Sequence, residues 1–235
     1  MRVVISLGGS VAFDDRSAET VEAHAAAIEE LVDAGHDLAV VVGGGPVARE
    51  YIATGRALGA DEVRLDEIGI AVTRLNARLL IQALGDRAHP WPVTTYAEAR
   101  QAMRRGDIPV LGGVAPAQTT DAVSAATAEH VDAHLLVYAT SVDGVYSGDP
   151  ATDAEAERYR HLPVTELLKV IAEVEMSAGS KAPVDLLAAK IIQRSKLRTI
   201  VMQGSDPSAI ARAVLTGEHD GTDVTVEGME RPPAW

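Results

Sequence analysis

The sequence predicts an α/β fold, a three-layer αβα sandwich with a mostly parallel central sheet. Short runs of small and β-branched apolar residues, typical of strands buried on both faces, alternate with longer segments of helical periodicity. Three of the predicted strands end directly in glycines, at Gly8-Gly9, Gly43-Gly44-Gly45 and Gly112-Gly113. Strands that alternate with helices in this way form parallel sheets covered by helices on both faces.

The first elements surround the second glycine turn. Arg2 to Leu7 is rich in β-branched apolar residues and predicts a buried strand. Glu19 to Ala34 has apolar residues at helical spacing and is closed by Gly35, which predicts a helix. Leu38 to Val42 is wholly apolar and predicts the next strand. Proline is tolerated in the first turn of a helix, so we expect a helix from Pro46 to about Leu58.

The middle of the chain repeats this alternation. Asp66 to Leu84 carries one apolar stripe and predicts a helix. A short strand is expected over His89 to Val93, a helix over Ala97 to Arg105, and a strand over Ile108 to Leu111. The segment Thr119-Thr120-Asp121 is typical of a helix start, since hydroxyls cap and a carboxylate suits the positive end of the helix dipole. That helix is expected to run to about Val131.

The remaining elements complete one continuous sheet. They are the strand His134–Thr140, the loop Ser141–Asp153, the helices Val164–Glu175 and Val184–Lys196, the strand Arg198–Met202, the helix Pro207–Leu215 and the strand Asp223–Glu227. No repeat or low-complexity linker divides the chain. We therefore expect a single domain over residues 1–227 and a C-terminal tail over 228–235.

Composition limits the partners. The 235 residues carry a formal net charge of -13, and this negative field repels nucleic acid and anionic membrane surfaces. No apolar run approaches the ~18 residues of a membrane span. The chain has no cysteine, which excludes disulfides, thiolate metal sites and cysteine nucleophiles. A cytoplasmic protein without nucleic-acid or membrane partners is expected.

The acidic balance suggests an adaptation to high salt. Acidic residues outnumber Lys and Arg by 34 to 21, and only four residues are lysine. Screening at high ionic strength removes the cost of such self-repulsion, so a halophilic protein is one interpretation. A mildly acidic enzyme is the alternative.

The strand, glycine turn and helix start around residues 38–49 predict a phosphate site. Backbone N–H groups at a helix start point at a bound anion, and glycines let a phosphate approach the main chain. The patterns Gly-x4-Gly-Lys-Ser/Thr and Gly-x-Gly-x-x-Gly are absent, which argues against a P-loop NTPase or a typical dinucleotide-binding protein. Because ligands of parallel sheets lie beyond the carboxyl ends of the strands, the three glycine turns predict one site at that edge.

The motifs, in their order along the chain, resemble the amino acid kinase superfamily. The resemblance rests on Gly8-Gly9-Ser10, Gly43-Gly44-Gly45 with Ala48-Arg49-Glu50-Tyr51, and Thr73-Arg74-Leu75-Asn76. Further motifs make the chain similar to the archaeal-type UMP kinases: Gly112-Gly113 through Thr119-Thr120-Asp121-Ala122-Val123, Thr140 through Tyr146 with Asp149-Pro150, Asp185 through Lys190, and Gly221-Thr222. The match covers about Met1 to Val226.

The resemblance implies an amino acid kinase-like sandwich that transfers the γ-phosphoryl group of ATP to UMP. UDP and ADP would be the products, Mg²⁺ would accompany ATP, and the assembly would be a homohexamer built from dimers. Position by position, the resemblance implies ATP-binding residues Gly9, Ser10, Gly45, Arg49, Thr140, Tyr146 and Asp149. It implies UMP-binding residues Gly44, Asp66, Val114, Ala115, Pro116, Ala117, Gln118, Thr119 and Thr120. It assigns no protein residue as a metal ligand.

Two departures from the family pattern affect the expected mechanism. Ser6 stands where many members carry a lysine, so another cation must neutralise the transferred group. Arg49 and Lys181 are the candidate catalytic cations, with an exposed loop lysine as the alternative reading of Lys181. The segment Pro116-Ala117-Gln118 replaces a frequent Pro-Gly-His.

Two alternative functions and the role of one pair of arginines stay open. The missing lysine at Ser6 is consistent with a nucleotide-binding or storage assembly that does not turn over. A carbamate or acylglutamate-type kinase has the same superfamily motifs. Arg74 and Arg78, one helical turn apart, are either ligands of the UMP phosphate or partners of acidic side chains.

Overall fold

A seven-stranded sheet forms the centre of the described chain. A computed structural model describes residues 1–15, 17–148, 153, 155–175 and 184–228. The strands are β1 Arg2–Leu7, β2 Asp37–Val42, β3 Val110–Leu111, β4 Leu135–Thr140, β5 His161–Pro163, β6 Arg198–Gln203 and β7 Thr222–Thr225. Their order is β3-β2-β1-β4-β6-β7-β5. The first five in this order are mutually parallel, and β7 pairs antiparallel with β6 and parallel with β5. The predicted mostly parallel sheet is confirmed.

Helices cover both faces of this sheet. They are α1 Gly9–Ala12, α2 Ala18–Asp33, α3 Gly45–Ala57, α4 Glu62–Leu84, α5 Tyr96–Arg104, α6 Thr120–Val131, α7 Val164–Glu175, α8 Leu186–Ser195 and α9 Pro207–Thr216. A 3-10 turn, Gly85–Arg87, follows α4. Helices α2, α9 and the second half of α4 share one apolar core with the sheet, while α5, α6, α7 and α8 share the other. The structure therefore has the predicted three layers.

The two cores are aliphatic, as the low aromatic content requires. Alternate residues of the central strands enter opposite cores: Val3 and Ile5 belong to one, and Val4 to the other. All of these side chains are almost completely buried. Among the described residues, none of the helices combines the length and apolar character needed to cross a bilayer.

Short polar side chains start most of these helices. Ser17, Asp61, Thr95, Thr119 and Asp185 each accept a hydrogen bond from a backbone N–H in the first turn of α2, α4, α5, α6 and α8, respectively. Such caps satisfy donors that the helix itself leaves unpaired. The cap at Asp61 explains why α4 begins at Glu62, one turn earlier than the predicted Asp66.

One predicted strand does not form. Only two isolated bridges form near His89 to Val93: Ala88 pairs with Ile108, and Val93 pairs with Leu111. Pro90 and Pro92 lie within this segment and have no N–H to donate to a ladder. The neighbouring strand is shortened to Val110–Leu111 for the same reason, since Pro109 precedes it.

Two short elements were not predicted. The turn after β1 continues into α1, a single helical turn, and β5 adds a three-residue edge strand beside β7. Neither is long enough to show a periodic pattern. The last strand, β7, begins one residue earlier and ends two residues earlier than the predicted Asp223–Glu227.

Candidate active site

The first two glycine turns pack against each other, backbone to backbone. A Cβ added to Gly9 would lie 2.1 Å from the Gly45 nitrogen and 2.7 Å from the Gly43 carbonyl. A Cβ on Gly45 would lie 2.5 Å from the Gly9 oxygen, and Gly45 also has a φ of +63°, which favours glycine. The Gly43 N–H donates to the Leu7 oxygen and continues the ladder between β1 and β2. No side chain fits where these two turns meet.

A cavity of about 170 Å³ opens over this junction. It lies beyond the carboxyl ends of β1, β2 and β4, as expected for a ligand site of a parallel sheet. Its lining joins segments that are far apart in sequence: Ser6, Gly8, Gly9, Ser10, Gly43, Gly44, Gly45, Arg49, Thr120, Asp121, Tyr138, Ala139 and Thr140. Seven of the residues implied by the family resemblance thus line one cavity.

Two full-length helices begin at the cavity. Helix α3 starts at Gly45, and its cap residue Gly44 makes no side-chain capping bond. Helix α6 starts at Thr120, where the Thr119 side chain accepts from the Ala122 N–H. The unpaired N–H groups and the positive dipole end of each helix favour a bound anion there.

Arg49 connects the two glycine turns on the solvent side. Its Nη1 atom donates to the Ser10 hydroxyl at 3.4 Å, from the second turn of α3 to the segment after β1. The side chain is exposed, so its charge is available to a ligand that enters from solvent. Lys181, the other candidate cation, lies outside the described residues.

Asp121 has a carboxyl group that keeps its proton to an unusually high pH. Its side chain is partly exposed to the cavity, yet protein atoms surround the rest of it. Desolvation, with the negative charge of Asp185 as a second cause, raises the pKa of Asp121 from 3.8 to about 7. The buried Tyr138 hydroxyl donates to the Asp121 backbone oxygen at 2.8 Å, and burial raises the pKa of this phenol, which keeps it a donor.

Thr119 and Asp185 join the starts of α6 and α8. The Thr119 hydroxyl donates to Asp185 Oδ2, while Asp185 Oδ1 accepts the Ala188 N–H at 2.8 Å. One carboxylate therefore caps α8 and holds the cap residue of α6. This explains how the Asp185 charge comes near enough to affect Asp121.

The segment 114–118, expected to wrap the acceptor, is held to α4. The Ala117 N–H donates to Asp66 Oδ2 at 2.7 Å. Ala117 has a φ of +62°, a conformation that glycine adopts more easily, at the position where the family frequently has glycine. Asp66 and Ala117, both expected to contact the acceptor, are thus in contact with each other, and this bond uses one of the carboxylate oxygens expected to hold a ligand.

The third glycine pair lies at the same sheet edge but serves packing. A Cβ on Gly112 would lie 2.6 Å from Thr73 Oγ1, and one on Gly113 would lie 2.6 Å from Ile70 Cγ1. The Gly113 N–H donates to Thr73 Oγ1 at 2.7 Å. This pair lets the end of β3 approach α4 and does not line the cavity.

Arg74 and Arg78 have structural contacts. Arg74 donates from Nε to the Gly113 oxygen at 3.1 Å, at the start of the acceptor segment. Arg78 lies over the Trp91 ring, with its guanidinium carbon 5.6 Å from the ring centroid. Neither arginine lines the cavity over the glycine turns.

The expected nucleoside side of the donor site is only partly assembled. Thr140 lines the cavity, but the Tyr146 hydroxyl donates to Asp143 Oδ1 at 2.8 Å and does not line it. Thr222 holds the same loop, because its hydroxyl accepts the Val145 N–H at 2.9 Å. Asp149 lies outside the described residues.

Asp121, Asp185 and Tyr138 were given no role in the site from sequence, and Ser6 was considered only as the place of a missing lysine. Asp121 and Asp185 belong to motifs that carry the family resemblance, but Asp121 was expected only to start a helix, and Asp185 lies within the predicted helix Val184–Lys196. Ser6 and Tyr138 lie inside buried strands, where a polar side chain aimed at the strand ends gives a weak signal. The sequence does contain a signal that could have identified Asp121 as a site residue: it follows two threonines at the end of the segment that begins with Gly112-Gly113.

The chain is similar over almost its whole length to known proteins. The model of the amino acid kinase family matches residues 1–203. The uridylate kinase of Halobacterium salinarum is 60% identical over 230 residues, 98% of this chain and 95% of that protein. The uridylate kinase of Haloarcula marismortui is 60% identical over 227 residues, 97% of this chain and 100% of that one. The crystal structure of uridylate kinase from Archaeoglobus fulgidus superposes with a TM-score of 0.87 at 43% identity, covering 96% of this chain and 100% of that one.

Proposed function

The chain belongs to the amino acid kinase family, and on that premise we propose that it is an ATP-dependent UMP kinase. The γ-phosphoryl group of ATP is transferred to a phosphate oxygen of UMP. The bond from γ-phosphorus to the β–γ bridging oxygen breaks, and the products are ADP and UDP. This reaction would supply UDP for pyrimidine nucleotide biosynthesis.

The observation that carries the proposal is the paired glycine turns under one cavity. Phosphoryl transfer requires two phosphate groups in line and neutralisation of the moving charge. The backbone junction of Gly9 with Gly45 admits no side chain, and a cavity of about 170 Å³ opens over it, which supports phosphate groups bound against the main chain. We assign Gly44 to the UMP side of the junction, and Gly9, Ser10 and Gly45 to the ATP side.

Charge neutralisation in this site depends on local groups. ATP and UMP together bring about six negative charges at neutral pH, and a chain with a net charge of -13 repels them at long range. The helix starts at Gly45 and Thr120 and the Arg49 guanidinium are the positive features at the cavity. We assign Arg49 the contact with the transferred group, with Lys181 as its partner.

Mg²⁺ belongs to the proposal as a companion of ATP. In the described part of the chain, no group of three or more His, Cys, Asp or Glu side chains is arranged to hold a metal ion. We assign the ion to the substrate phosphates, which commonly carry Mg²⁺. It would lower the charge on the phosphates, while the chain itself orients them.

The remaining assignments follow the same division. Thr140, Tyr146 and Asp149 are assigned to the ATP nucleoside, and Asp66 with residues 114–120 to UMP. The Asp66 carboxylate and the segment it holds lie together at the start of α4, which supports one acceptor surface. A cytoplasmic location is part of the proposal.

The proposed assembly is a homohexamer built from dimers. Large apolar side chains of α3, the turn after it and α4 are exposed: Tyr51, Leu58, Val63, Leu75 and Leu79. Leu58 alone keeps 83% of its surface accessible. A second copy that covers some of these side chains would remove exposed apolar surface from water. Light scattering on the purified protein decides this point, because a monomer at micromolar concentration would contradict it.

A coupled assay of ADP release tests the function. The purified protein is given MgATP with UMP, CMP, AMP, carbamate or N-acetylglutamate in separate reactions. Release of ADP with UMP above all others is expected. Release with carbamate or N-acetylglutamate alone would favour the alternative kinase, and ATP binding without release in any reaction would favour the binding protein.

A further inference from the structure

The segment expected to wrap the acceptor has a second anchor, one residue beyond the bond from Ala117 to Asp66. The Tyr96 hydroxyl donates to Gln118 Oε1 at 2.8 Å. Tyr96 is the first residue of α5, and Gln118 directly precedes the cap of α6. This bond therefore ties the end of the acceptor segment to a helix that contributes nothing else to the site.

Tyr96 is itself held in place. Its ring stacks on the His130 ring with centroids 4.7 Å apart and planes 25° from parallel. His130 lies in the last turn of α6, and its Nδ1 atom is bonded to the Ala126 oxygen at 2.8 Å. The half-buried phenol thus has one fixed direction, and burial raises the pKa of Tyr96, which keeps the proton on the hydroxyl.

The bond determines what Gln118 offers to a ligand. Its amide oxygen accepts from Tyr96, and in the described part of the chain its Nε2 group donates to no protein atom. A side-chain amide with its oxygen occupied presents N–H donors. Oxygens of a pyrimidine nucleotide accept such donors, whereas ATP is assigned to the other side of the glycine junction.

We propose that Tyr96 is a positioning residue for the acceptor nucleotide, acting through Gln118. It fixes Gln118 while Asp66 fixes the adjacent Ala117, so the C-terminal end of segment 114–118 is ordered before UMP arrives. Ordering a loop in advance lowers the cost of binding. This inference rests on the proposed function, because it assigns the segment to UMP.

The test is steady-state kinetics of the full chain with the Tyr96→Phe variant. The ring and its stack on His130 remain, and only the hydroxyl is lost. We expect KM for UMP to rise roughly 2- to 10-fold, the range for one hydrogen bond, with kcat and KM for ATP unchanged. Tyr159→Phe is the matched control, because this half-buried tyrosine packs against the same core from the other end of the sheet.

A double-mutant cycle separates positioning from general stability. Gln118→Leu removes the acceptor of the bond, and Tyr96→Phe added to it should raise KM for UMP no further. Additive effects, or a lower thermal midpoint with both KM values unchanged in Tyr96→Phe, would overturn the inference. If the unmodified protein releases no ADP with UMP, the proposed function fails instead; an active protein indifferent to Tyr96→Phe refutes only the positioning role.

Discussion

Asp121 shows at the residue scale how burial sets chemistry. From the sequence, Asp121 was expected only to lie at the start of a helix. In the folded chain its carboxyl group has a pKa of about 7. Its causes lie in other segments: the protein atoms around the cavity and the carboxylate of Asp185. Near neutral pH, Asp121 therefore changes charge within the site that must accommodate phosphates.

The raised pKa predicts a pH-dependent stability. The unfolded chain releases this proton near the ordinary value of 3.8, while the folded chain keeps it until about 7. The free energy of unfolding therefore falls as pH rises from about 4 to about 7, and stays lower above that range. Relative to Asp121→Asn, the ligand-free wild type should lose on the order of 3 kcal/mol across this window.

Urea unfolding at several pH values measures this effect. Asp86→Asn, at an exposed position in the turn after α4, serves as the control and should follow the wild type. Parallel pH profiles for the wild type and Asp121→Asn would show that Asp121 ionises normally in the folded state.

Arg49 is the residue whose charge the proposed transfer most needs. Ser6 supplies no charge beneath the cavity, and Arg49 extends over it to Ser10. Arg49→Ala should lower turnover by at least ~10²-fold, as expected for loss of a charge contact in the transition state. The assay is kcat for ADP release at saturating ATP and UMP.

Arg56→Ala is the matched control for Arg49. Arg56 lies on the same helix and is exposed. Its guanidinium pairs with the Glu62 carboxylate at 3.1 Å, and neither residue lines the cavity. Its kinetics should stay within a few-fold of the wild type. If Arg49→Ala behaved in the same way, Arg49 would have no part in the mechanism.

At the scale of elements, the site is made by ends of strands and starts of helices. β1 and β2 pair in register, so their glycine turns arrive side by side. The same register places the start of α3 next to α1. Parallel pairing therefore converts two separate Gly-Gly motifs into one backbone surface.

Gly9→Ala tests this contact between elements. The added methyl would lie 2.1 Å from the Gly45 nitrogen, so one turn must move. We expect the free energy of unfolding to fall by about 1–3 kcal/mol, as for overpacked sites, together with a loss of kinase activity. Urea unfolding and the ADP assay measure the two effects.

Gly69→Ala provides a contrast within α4. There the added methyl would lie 3.3 Å from the end of the flexible Ile52 side chain, so little strain is expected. Alanine also favours a helix interior over glycine. Equal effects of Gly9→Ala and Gly69→Ala on stability would argue against a close junction of the two turns.

At the scale of the whole molecule, charge is the dominant property. A net charge of -13 on 235 residues produces self-repulsion that salt relieves. The Debye length falls from ~10 Å at 0.1 M to ~3 Å at 1 M salt. The thermal midpoint should therefore rise between these concentrations of KCl.

Differential scanning calorimetry in KCl measures this rise. KCl is preferred to sulfate salts, because sulfate strengthens apolar burial in any protein. A midpoint that stays constant or falls between 0.1 M and 1 M KCl would refute the halophilic interpretation and leave a mildly acidic enzyme.

The central strands and helices were predictable because their signals are local. Buried strands such as Leu38 to Val42 are apolar throughout, and capped helices begin at polar side chains that the sequence displays. The prolines at 90, 92 and 109 also act locally, and they explain the lost and shortened strands. Elements of three or four residues, α1 and β5, carry too few positions for any periodicity.

The sequence by itself determined the α/β class, the alternation of the longer strands and helices, and the glycine turns as phosphate-binding candidates. Only the tertiary structure decided which of these turns meet, because contact between Gly9 and Gly45 depends on strand register. It also decided the acidity of Asp121 and the bond from Tyr96 to Gln118. Both depend on neighbours distant along the chain, and the position of such neighbours is fixed by packing in three dimensions.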